Sequence, residues 1–183
     1  MVEYFTEGIV LSKEKRSDFD GVVNVYTKDF GRISAKTKGI FKPISKLSGH
    51  LEPLNLVNVR VIEKNGFQIT DALMVKKLLS PQAKTSINFY RQALDLLSFV
   101  SEMTFDFQPD IKLWQTILKT LEAINRKRTP SYSLILEALG FSPKFSQCQK
   151  CKAKPVRYFS KKDQTFYCSR CALKAPKEEL ILV

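Results

Sequence analysis

Apolar residues recur at every second position up to about residue 79 and at every third or fourth position after it. That one change of period does most to limit the fold, because a period of two marks strands and a period near 3.6 marks helices. In VVNVYTK (22–28), Val23, Val25 and Thr27 share one face, and Asn24, Tyr26 and Lys28 the other. RISAKTKG (32–39) alternates likewise, with Ile33 and Ala35 inward and Arg32, Ser34, Lys36 and Lys38 outward. GIVLSKEK (8–15), LVNVRVIEK (56–64) and FQITDALMV (67–75) complete five short strands. Asn65-Gly66, between the last two, is a strong hairpin signal. The strands read as a meander broken once by a longer connection, 40–55. That pattern predicts a closed five-stranded barrel of the oligonucleotide-binding (OB) type, with an open sheet packed on a helix as the alternative.

Ser80-Pro81 marks the switch, since Ser caps helices and Pro fits their first turn. Phe89, Ala93, Leu96, Val100 and Met103 then form a helical stripe. A second helix is expected from near Pro109, with Ile111, Trp114, Ile117, Leu118, Leu121 and Ile124 on one side. A third opens at Thr129-Pro130 and stops at Gly140. The three are expected to pack together. The fold class is therefore α+β, with an OB-type barrel over 1–79 and a helical domain over 80–183. The tail, KAPKEELILV, is expected to dock through its last apolar residues.

All four cysteines lie in two Cys-x-x-Cys pairs, Cys148/Cys151 and Cys168/Cys171, separated by sixteen residues. Each pair can reach one ion from a tight turn, and two pairs complete the tetrahedron that Zn²⁺ takes with four thiolates. A site filled by protein leaves no position for water, so the expected ion is structural rather than catalytic. Iron–sulfur ligation and redox thiols are the competing readings. Nothing at the N-terminus resembles an export signal, so the chain is placed in a reducing cytosol, where structural disulfides are rare. The zinc ribbon is expected at about 145–175.

Net charge is +12, and the field is uneven, with nine bases against three acids in 148–183. Lys150, Lys152, Lys154, Arg157, Lys161, Lys162 and Arg170 surround the cysteines, either as phosphate contacts or as solubilising charge. Residues 30–51 hold Arg32, Lys36, Lys38, Lys42 and Lys46 and no acid. Such a run can track a phosphate backbone, with Phe41 near enough to stack a base. Five neutralised phosphates on a single strand correspond to a log–log salt slope of about −3.5. His50, Trp114, Asp18 and Asp20 carry no catalytic pattern, and no phosphate-cradling glycine loop or two-metal acidic cluster is visible. The chain is therefore not expected to be an enzyme. No apolar stretch is long enough to span a bilayer, so no membrane role is expected.

The segment EGIVLSKEKRSDFDGVVNVYTKDFGRISAKTKG, followed by KGIFKPISKLSGHLEPLNLVNVRV, resembles the RecO family of bacterial DNA repair and recombination mediators. The likeness rests on Glu7-Gly8-Ile9-Val10-Leu11, Gly31-Arg32-Ile33-Ser34, Lys38-Gly39, Pro43, Ser45-Lys46-Leu47, Gly49, Leu51 and Pro53. LILEALGFSPKFSQCQKC resembles the family's short helix leading into a four-cysteine module. The resemblance implies an OB barrel, a helical domain and a zinc ribbon. It also implies binding of single- and double-stranded DNA, annealing, and work with RecR and single-strand-binding protein to load RecA in the bacterial cytoplasm, at the nucleoid. Arg32, Lys38 and Lys46 fall in the family's motif region, and Lys36 and Lys42 extend it. Related chains continue into further helices after the zinc module, which bears on the single-strand-binding-protein contact. An RNA-binding or ribosome-associated barrel-plus-ribbon protein is the alternative function, distinguished by competition between RNA and DNA.

Overall fold

A computed structural model of the chain describes residues 2–176 and 179–183, and of Lys84 the backbone alone. The chain divides into two compact units, Met1–Pro130 and Ser131–Val183. The change of hydrophobic period at 79/80 thus falls inside the first unit.

Five strands open that unit: β1 (Val2–Lys15), β2 (Gly21–Thr27), β3 (Gly31–Thr37), β4 (Asn55–Glu63) and β5 (Phe67–Lys77). They come round on themselves in the order β1-β2-β3-β5-β4, with β4 back on β1. The closed OB-type barrel expected from the sequence, read as a meander of successive neighbours, is not what this pairing makes. β3 neighbours β5 rather than β4, and it runs parallel to β5 through two register pairs, Ala35↔Phe67 and Lys36↔Gln68. The sheet is therefore mixed, and its strands are uneven, with fourteen residues in β1 against seven in β3. The cause lies in the 38–54 excursion. A crossover of a dozen or more residues can carry the chain past a neighbouring position, and β4 re-enters beside β1 instead of β3.

The inward faces pack one core from Val10, Val23, Val25, Ile33, Ala35, Val57, Val59, Val61 and Ile69. Along β3 the alternation is strict: Ile33, Ala35 and Thr37 are buried, Ser34 and Lys36 exposed. β1 breaks the rule, since Ile9, Val10 and Leu11 are all buried. Its register to β2 jumps between Val10 and Ser12, so Leu11 is the extra residue of a bulge. The excursion has no regular structure, yet it buries Ile40, Leu51 and Leu54 against the barrel. It is pinned there by polar bonds. Asn55 Nδ2 donates to the Gly49 and His50 carbonyls at 3.1 and 2.8 Å, and the Met74 N–H donates to His50 Nδ1 at 3.1 Å.

The outer face of β1–β3 is where helices dock. Ile9, Tyr26 and Arg32 stand side by side in register on that face. Tyr26 is fully buried there, stacked on Trp114 with ring centroids 6.4 Å apart. Burial and the nearby charge of Asp110 push its phenol up to about 12. The covering helices are α1 (Pro81–Thr85), α2 (Ile87–Met103) and α3 (Ile111–Asn125). Ser80 caps α1 by accepting from the Ala83 N–H, and Asp110 caps α3 by accepting from the Leu113 N–H. The single helix expected from Ser80-Pro81 is interrupted at Ser86, whose backbone is extended, beside two residues that compete for backbone bonds, Thr85 and Ser86.

The second unit contains α4 (Tyr132–Ala138), β6 (Tyr158–Ser160), β7 (Thr165–Tyr167), α5 (Ser169–Ala172) and β8 (Leu180–Leu182). Gly140, with φ +89°, ends α4 as its spacing predicts. α4 thus belongs with the cysteine segment and not with α1–α3. The sheet order is β7-β6-β8, so the tail docks as a third strand. Phe159 sits between Phe141 and Phe166 with edge-on contacts at 5.2 and 5.0 Å. Among the described residues, no helix is long and apolar enough to cross a membrane.

Candidate metal centre and cationic face

The Cys-x-x-Cys spacing folds each pair into a tight turn. At the first, the Lys152 N–H donates to the Cys148 carbonyl at 2.9 Å, with Lys152 in the left-handed region. At the second, the Ala172 N–H closes back on the Cys168 carbonyl at 3.0 Å, and α5 presents Cys171. The β6–β7 hairpin between the pairs brings the two turns together. All four sulfurs lie within 4.8 Å of one another, and Cys151 Sγ stands 3.6 Å from Cys168 Sγ. A tetrahedron with metal–sulfur bonds of about 2.3 Å has edges of about 3.8 Å, so the cluster has the dimensions to hold one ion. None of the four is in a disulfide.

Electrostatics support ligation. Burial alone would raise the Cys148 thiol, but backbone N–H groups of Cys168, Cys151 and Lys150 aimed at its sulfur bring it down to about 6. The Cys171 N–H lowers Cys168 in the same way. Cys171 is raised to about 12, chiefly by its bond with Cys151. Cys148, Tyr167 and Ala172 form a small buried cluster beneath the sulfurs, with Tyr158 and Leu180 against it. Lys150, Lys152, Lys154, Arg157 and Arg170 are exposed around the site. Lys162 pairs with Glu179 at 3.6 Å.

In the first unit, Lys36 projects from the exposed side of β3, and Lys38, Lys42 and Lys46 are exposed along the excursion. None of these four has an ion pair among the described residues. Lys42 Nζ sits 5.9 Å from the centre of the Phe19 ring. Phe41, the aromatic expected to stack a base, is half-buried against the core, whereas Phe19 is the exposed ring beside these lysines. Arg32 stands apart from them. Its Nε bonds Asp106 at 2.7 Å, and Nη1 reaches the Ser101 carbonyl. Register explains this, because Arg32 shares the outer row with Tyr26, under the helical layer. The sequence offered no signal for the pairing, since the partner lies 74 residues away.

Comparison with known proteins covers nearly the whole chain. Residues 1–77 match the family model "Recombination protein O N terminal", and residues 87–182 match "Recombination protein O C terminal". DNA repair protein RecO of Dehalococcoides mccartyi strain BAV1 is 26% identical over 183 positions, covering 92% of this chain and 70% of that protein. DNA repair protein RecO of Bacillus subtilis strain 168 is 25% identical, covering 93% and 69%. The counterpart in Prosthecochloris aestuarii is 27% identical, covering 78% and 57%.

Proposed function

Because the chain belongs to the RecO family, we propose that it is a non-catalytic DNA-binding mediator of DNA repair and recombination. Its exposed lysines neutralise phosphates on single- and double-stranded DNA. Lowering the repulsion between two strands lets complementary bases pair, and annealing by that route needs no nucleophile and no nucleotide hydrolysis. The observation that carries this reading is the face of Lys36, Lys38, Lys42 and Lys46, exposed and unpaired among the described residues. Arg32, held by Asp106 and the Ser101 carbonyl, supports DNA binding through the loop it fixes rather than through a phosphate. The four cysteines hold one structural Zn²⁺, which fixes the second unit and the bases around it. Membership of the family supports RecR as partner, RecA loading as outcome, and a contact with single-strand-binding protein.

The test is a fluorescence strand-annealing and binding assay across a salt series, with the wild type beside a Lys36→Gln, Lys38→Gln, Lys42→Gln, Lys46→Gln variant. Four lost phosphate contacts shrink the single-strand salt slope by about 2.8. An unchanged slope with unchanged annealing overturns the assignment of these lysines.

A further inference from the structure

Where β1 begins, β2 turns into β3 and β5 starts, four aromatic rings meet. Tyr4 meets Phe30 edge-on at 5.0 Å and Phe67 at 6.5 Å, and Phe67 meets Phe107 at 4.8 Å. With Ile33 and Glu63 these rings line a cavity of ≈ 250 Å³. Phe107 is 50% exposed, and its φ of 59° is a disfavoured backbone state for a bulky residue. Three features hold it there. Arg32 binds Asp106 at 2.7 Å, the Phe107 N–H donates to the Arg32 carbonyl at 3.2 Å, and the Gln108 backbone lies against Gly31. A Cβ on Gly31 would fall 2.5 Å from that backbone, and Gly31 has φ +69°. The ring is thus anchored from outside the barrel and left half in water. Beside the rings, the Tyr4 hydroxyl donates to Glu63 Oε2 at 3.0 Å, and among the described residues no hydrogen bond or ion pair engages the other carboxylate oxygen.

We propose that this aromatic mouth takes one unstacked base of single-stranded DNA. The proposal rests on the DNA-binding reading above and deepens it by naming a stacking subsite. The cavity is smaller than the roughly 300 Å³ at which pockets for drug-sized ligands begin, so the guest is a single small group. Aromatic faces stack any base, and a carboxylate at the rim accepts from the exocyclic amino groups of adenine, guanine and cytosine. Arg32 is then a positioning residue, which sets Phe107 rather than touching the base.

The experiment compares a single-stranded oligonucleotide with one of equal length in which every base is replaced by an abasic sugar, so that the phosphates are the same. Binding is followed by fluorescence anisotropy on the full chain, for the wild type, Phe107→Ala and Phe107→Leu, each with a thermal melt. The wild type binds the abasic strand about tenfold more weakly. Phe107→Ala loses about the same factor on the natural strand, no longer distinguishes the two, and keeps the salt slope. Equal wild-type affinity for both strands, with steep salt dependence intact, overturns the stacking site and leaves the phosphate reading standing. It would reassign the mouth to a side chain from a protein partner. No binding of either strand in dilute buffer overturns both. The wild-type comparison decides even where a variant fails to fold.

Discussion

The two units of this chain reach stability by different routes. The first wraps an apolar core in five strands and lays helices on the outer face of β1–β3, and most of its buried groups are apolar side chains. The second has strands of three residues, helices of seven and four, and a buried cluster beneath four sulfurs. A segment of 53 residues has room for only a small core, and natural domains of this size often add a metal or cross-links. On the proposed zinc reading, the cysteines do for the second unit what Val, Ile and Leu do for the first.

The largest expected effect would break this contrast if it failed. Chelation, or Cys168→Ser, should cost the second unit on the order of 10 kcal/mol. Limited proteolysis should then cut within 131–183 while a fragment spanning 1–130 survives with its melting transition intact. Loss of both units together would show that the two are not held separately. A converse perturbation comes next. Trp114→Ala empties the site that stacks on Tyr26 and should cost about 3–5 kcal/mol. Calorimetry should show the first unit melting earlier, and metal analysis should show unchanged zinc. The smallest effect sharpens the account of the first unit. Arg32 is 24% exposed and Asp106 44%, so their pair is partly screened. A double-mutant cycle with Arg32→Ala and Asp106→Ala should give a coupling on the order of 1 kcal/mol.

Strand parity was legible because one face of each strand is buried. The alternation along β3 needs only a period of two, and it placed Lys36 outward correctly. Cysteine spacing was legible because ligand geometry is set within each tight turn. What could not be seen depends on distance along the chain. The burial of three successive residues, Ile9 to Leu11, hid the bulge. The pairing of β3 with β5 depends on where a seventeen-residue excursion lands, which periodicity does not encode. Tyr26 alternates as a solvent-side residue and is buried only because α3 covers it. Arg32 looked like a member of the lysine face, and the same covering layer claims it.

The parallel join between β3 and β5 has a mechanical consequence. Two register pairs make it the weakest link of the ring, so the hoop should part there before any other strand pair does. Lys36 is one of the residues in that link. If Lys36 grips a phosphate as proposed, that grip pulls on the clasp itself, and the tightness of the barrel and its hold on a polyanion become properties of the same few atoms.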